Sequence, residues 1–119
     1  MRLLIAIIYN PANVFYILDE FYQEGIKGST VLDSMGMAHI MAHHVPFFSK
    51  FAEEGHEPGQ NKTIFVLIQS DEELKKVIGA IERIVGDLEK PDTGVVMTVP
   101  VEFCKGASKI FEQQNKNKI

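Results

Sequence analysis

RLLIAIIY, residues 2–9, decides how the rest of the chain is read. After one arginine it is apolar to the tyrosine, with branched side chains throughout and no polar residue at alternate positions. A half-solvated strand alternates, so an unbroken run marks a strand covered on both faces. Leu3, Ile5 and Ile7 point to one side, Leu4, Ala6 and Ile8 to the other. KTIFVLIQ, residues 62–69, repeats the pattern, with Ile64, Val66 and Ile68 opposed to Phe65 and Leu67.

Working outward from these two strands, NPANVFYILDEFYQEG (10–25) predicts a helix. Asn10 suits the N-cap, Pro11 the first helical position, and Gly25 a left-handed stop. Val14, Ile17, Leu18, Phe21 and Tyr22 form its apolar stripe. STVLDSMG (29–36) is a second strand set between glycines. SDEELKKVIGAIERIVGDL (70–88) is a second helix opened by a Ser70/Glu73 capping box, its stripe running from Leu74 to Leu88. GVVMTVPVEF (94–103) is the fourth strand, with Pro100 marking an edge or a bulge. The tail from 106 to 119 predicts a short helix that gives way to polar residues.

The order βαββαβ is the ferredoxin-like arrangement: an α+β domain with one antiparallel sheet and both helices on one face. Two helices leave the other face open, yet this sheet is apolar on both. At roughly 1.5 to 3 kcal/mol per large side chain, exposing the second set forfeits on the order of ten kcal/mol, as much as a domain's whole stability. The expectation is a homo-oligomer whose sheets face an internal axis.

Composition bounds the function. A chain of 119 residues, 45% apolar, holds one core, so residues 1–119 are expected to form a single domain. A net charge of −4 with scattered Lys and Arg argues against nucleic acid as a partner. The N-terminal run is too short for a membrane span and lacks a cleavage site, so neither membrane insertion nor export is expected and a cytoplasmic location is. One cysteine, Cys104, allows no internal disulfide and no cysteine zinc cage, which fits a reducing compartment. Nothing predicts catalysis: Cys104 beside Lys105 and a loose cluster of histidines and glutamates make no motif with mechanical content, and the chain is read as a non-enzyme.

GIKGSTVLDSMGM (25–37) and Val99-Pro100-Val101-Glu102 resemble two stretches of the nitrogen-regulatory PII signalling proteins: the passage from first helix through strand two into the long T-loop, and the fourth strand. The element order is similar along nearly the whole chain. The resemblance implies a cytoplasmic homotrimer with its sheets forming a central barrel and a T-loop at about 38–61. It also implies an effector in the cleft between subunits and a protein partner, such as a transporter or an enzyme, docking on the loop. The ligand contacts it implies are Gly36, Met37, Ala38 and Gly94 through their backbones, with Lys90, Lys105 and Lys109 as cations. The family's second turn glycine is here Ala38, its glycine-lysine before strand four is Gly94-Val95, and its arginines after strand four are lysines. A polyphosphate needs several convergent cations or oriented N–H groups. Standard ATP sensing is therefore not expected, and the effector is left open as an adenine nucleotide or another small anion.

The loop carries its own chemistry. His39 and His43 are four apart with His44 adjacent, and a helix there would bring the first two onto one face, where with a carboxylate they could chelate a transition metal. A metal-binding trimer is the alternative reading. Phe47, Phe48 and Phe51 are expected to pack within the assembly or against the protein partner.

Overall fold

A computed structural model describes residues 1–42 and 60–107 of the chain. The elements are β1 (Arg2–Ile8), a 3₁₀ turn (Pro11–Asn13) leading into α1 (Val14–Gln23), β2 (Ser29–Met35), α2 (Met37–Ala42), β3 (Gln60–Ile68), α3 (Asp71–Val85) and β4 (Gly94–Pro100). The strands form one four-stranded antiparallel sheet in the order β2-β3-β1-β4. This is an α+β architecture compatible with a ferredoxin-like fold.

The helix ends follow from local chemistry. Asn10 accepts a hydrogen bond from the Ala12 amide at 3.0 Å, and Pro11, which has no N–H to satisfy, opens the 3₁₀ turn. α1 closes in a Schellman motif: Gly25 takes φ 82°, its amide donates to Tyr22 and the Ile26 amide donates to Phe21 at 2.8 Å. The apolar contact that accompanies such a stop is present, since Phe21 and Ile26 are both buried. Ser70 Oγ accepts from the Glu73 amide at 3.1 Å and starts α3. Gly86, at φ 88°, ends it, so Leu88 lies past the helix that the apolar stripe predicts, although it still packs on the core.

The core lies between the sheet and α1 with α3. Leu4, Ala6 and Ile8 of β1 and Ile64, Val66 and Ile68 of β3 meet Ile17 and Phe21 of α1 and Val77, Ala80 and Ile81 of α3. Pairing of Leu4 with Val66 and Ala6 with Ile64 puts the two sets on one face. On the other face Leu3 stands opposite Leu67 and Val99, and Ile5 opposite Phe65 and Met97. No described helix covers these residues: Val95, Met97 and Val99 are 40–42% exposed and Leu32 is 45% exposed.

Three further boundaries differ from the sequence expectation. β3 starts at Gln60, two residues early, because the β2–β3 ladder continues to the pair Met35–Gln60. β4 stops at Pro100, which cannot donate to the ladder; the next amide, that of Val101, bonds Met1 instead. α2 occupies the opening of what reads as loop, with the His39 amide donating to Gly36 at 3.1 Å. The remainder of the expected 38–61 loop and the tail beyond 107 lie outside the described residues. Among the described residues no helix is long and apolar enough to cross a membrane.

Candidate functional site

Antiparallel pairing brings the C-terminal ends of β1 and β2 to the same end of the sheet as the starts of β3 and β4. Asp33 stands opposite Lys62, Lys62 opposite Ile8, and Ile8 opposite Gly94. Residues from two separate sequence regions, 33–39 and 86–94, therefore share this end.

At the β2 edge the hairpin opens onto a cavity of about 430 Å³ lined by Pro11, Asp33, Ser34, Met35, His39, Gln60, Asn61 and Lys62. Lys62 Nζ pairs with Asp33 at 3.2 Å. Ser34 Oγ donates to Asn61 Oδ1 and lies 2.8 Å from Thr63 Oγ1. Asn61 and Thr63 are 7% and 9% exposed, so this trio is a largely buried polar cluster at the rim of the sheet face that the helices leave open. Buried polar atoms are kept only where they are hydrogen-bonded, and here each residue of the trio is bonded to another. Asn61 lines the cavity, its Oδ1 accepting from Ser34 and its amide NH₂ being its donor group. The walls thus hold one carboxylate paired with one ammonium, together with neutral amide groups, a set suited to a small polar ligand.

Of the expected contacts, Gly36 follows β2 directly, and Met37 and Ala38 begin α2 beside this cavity. Met35, which lines the cavity, is 64% exposed, and Met37 and Ile40 of α2 are 72% and 52% exposed. His39 lies on α2 and lines the cavity. His43, His44, Phe47, Phe48, Phe51 and Lys109 fall outside the described residues. Among the described residues no three His, Cys, Asp or Glu side chains are grouped to hold a metal ion.

The loop before β4 is closed on itself. Gly86 N–H donates to Glu82 O at 2.9 Å, Leu88 N–H to Glu82 Oε2 at 3.0 Å, Glu89 N–H to Asp87 Oδ1 at 2.9 Å and Lys90 N–H to Asp87 O at 2.9 Å. Thr93, 7% exposed, turns its hydroxyl inward onto the Lys90 carbonyl at 3.0 Å. Amides that would cradle a phosphate are thereby engaged, two of them by carboxylates that would repel one. Gly94 has a packing reason of its own, since a Cβ there would lie 2.5 Å from the Ile7 carbonyl oxygen. Lys90 is exposed in this loop.

The two halves of the expected site do not meet within one protomer. β2 and β4 are opposite edges of the sheet, three strand spacings or about 14 Å apart. Lys105 follows β4 at the other end, where Pro100 stands opposite Arg2.

The polar trio, the Asp33–Lys62 pair and the Glu82 and Asp87 carboxylates that close the loop are not among the residues the sequence singles out. A signal for the first exists: Asn61, Thr63 and Ser34 are polar at positions where the flanking strands are apolar. The loop gave none, because Glu82 and Asp87 read as surface acids. The chain matches no protein-family model and no curated protein sequence.

Proposed function

We propose that the protein is a PII-like homotrimeric regulator, with the bare sheet faces turned to a common axis and a small anionic effector held between subunits. The observation that carries this reading is the uncovered apolar face described above, from Leu3 and Ile5 across to Val95 and Val99. It bears no charged side chain in the paired strands, and a second copy of the same surface is the simplest uncharged cover for it. Such an assembly sets the β2 edge of one protomer beside the β4 edge or the tail of another. Gly36, Met37 and Ala38 would then face Gly94, Lys90, Lys105 or Lys109 of a neighbour, an approach that the 14 Å spacing forbids within one chain.

The internally bonded loop at 86–90 favours an effector less demanding than a nucleotide triphosphate. The effector would act by ordering one arrangement of the segment from 38 to 61, with Phe47, Phe48 and Phe51 presented to a protein partner. A ligand shifts that equilibrium only by its differential affinity for the two arrangements. Sedimentation velocity at micromolar concentration tests the assembly, and a mass of three chains is expected. A thermal-shift panel of adenine nucleotides, cyclic dinucleotides and bicarbonate tests the ligand: at a hundredfold excess over Kd, binding adds roughly 2.7 kcal/mol to the native state. A well-behaved monomer would remove the intersubunit pocket and this function with it.

A further inference from the structure

The outward side of α1 differs from that of α3. Phe15, Tyr16 and Tyr22 are 73%, 58% and 62% exposed, and exposed Asp19 lies among them. At 100° per residue Phe15, Asp19 and Tyr22 fall along one line of the helix, with Tyr16 flanking it. The outward side of α3 instead shows Glu72, Lys75 and Arg83, a surface that water solvates well. Three aromatic rings on one exposed stripe are a composition typical of a contact surface. The rings of Phe15 and Tyr16 meet edge to face with centroids 5.7 Å apart, which orders them relative to each other.

Charge identifies what would sit there. A carboxylate and the faces of aromatic rings both attract cations, so Asp19 and the Phe15 and Tyr16 rings share one preference. Asp19 makes no ion pair among the described residues. The Tyr22 ring already holds a cation of this kind, with Lys27 Nζ 5.0 Å from its centroid, which leaves Phe15, Tyr16 and Asp19 to take one from outside. A second copy brings no spare guanidinium, since Arg2 is paired with Asp71 and Arg83 with Glu20 and Glu24. We infer that the outward face of α1 docks an arginine-bearing segment of a partner protein, its guanidinium stacked on the rings and paired with Asp19. A planar guanidinium suits this better than an ammonium because it stacks and forks at once. The surface points away from the open sheet face and stands independently of the trimer.

The test uses the full chain, ¹⁵N-labelled, titrated with a synthetic leucine-arginine helical peptide and with the same peptide carrying citrulline for arginine. The arginine peptide is expected to shift the amides of Phe15, Tyr16, Asp19 and Tyr22 and to bind roughly tenfold more tightly than the citrulline form. Asp19→Asn and Phe15→Ala should each weaken it by about threefold to thirtyfold, with thermal melting unchanged because both side chains are exposed. Equal binding of the two peptides, shifts that map elsewhere, or full affinity in both variants would overturn the proposal. So would self-association of the unmodified chain that Phe15→Ala abolishes, since the stripe would then belong to a second copy.

Discussion

The two faces of the sheet are built from the same residue types and end in opposite environments. On the face under the helices, Leu4, Ala6, Ile8, Ile64, Val66 and Ile68 are at most 1% exposed. One residue along each strand, Leu3, Ile5, Ile7, Phe65 and Leu67 are only half-buried, and the β4 residues beside them are exposed. The covered face is finished by this chain alone. The other has the composition of a core and a greater exposure, and the proposed assembly rests on that combination. The polar trio of Ser34, Asn61 and Thr63 marks where that apolar face ends, next to the cavity at the loop end.

The sharpest way to break this comparison is a pair of substitutions one residue apart in β3. Phe65→Glu, on the open face, is expected to disrupt the assembly, weakening the association free energy by the two or more kcal/mol typical of a central apolar contact. Sedimentation would then show a folded monomer. Ile64→Ala, on the covered face, should instead lower folding stability by about 2–5 kcal/mol in chemical denaturation while the folded protein keeps its native mass. If both variants keep the same mass, the open face is not an interface. If both lose only stability, the two faces are equivalent and the contrast drawn here fails.

How far the sequence carries this contrast depends on the element. The strands, the two longer helices and their caps were legible because period, cap and glycine stop agree: Ser70 with Glu73 and Gly25 after Tyr22 act locally. The both-sided apolar character of β1 and β3 was legible too, since it is a property of the runs themselves. The exact ends were less so, as β3 is lengthened by its partner β2 and α3 is cut short by Gly86. The candidate site was least legible. Its polar trio joins residues 27 and 29 apart in sequence, and pairing register, which no local pattern states, brings them together. The role of Gly94 was likewise hidden, because a glycine required by close approach to Ile7 reads the same in sequence as one required by a ligand.

Gly94 offers the next largest effect and joins the comparison at the edge where β4 meets β1. A methyl there would stand 2.5 Å from the Ile7 carbonyl oxygen, a backbone atom that cannot swing aside. Gly94→Ala should therefore push the start of β4 outward and cost about 1–3 kcal/mol by denaturant titration, as overpacking does elsewhere. Because the same strand supplies Val95 and Met97 to the open face, the variant should also weaken self-association. A loss of ligand response with unchanged stability would assign Gly94 to binding and not to packing.

The smallest effects test how firmly the helical cover is held. Ser70→Ala removes the acceptor of the Glu73 amide and should cost about 1 kcal/mol. Arg83 ties α3 to α1, with Nε 3.1 Å from Glu20 and a terminal nitrogen 3.2 Å from Glu24. Its side chain is 47% exposed, so water and salt screen both pairs, and Arg83→Ala should cost no more than about 1 kcal/mol. Half a molar sodium chloride should narrow the difference between the variant and the unmodified chain, because the Debye length then falls to about 4 Å. The two helices lie over a core that excludes water regardless of this bridge, so the oligomeric mass should not change. A loss of several kcal/mol would mean that the cover depends on the charge bridge, and the covered face would then be less self-sufficient than its burial implies.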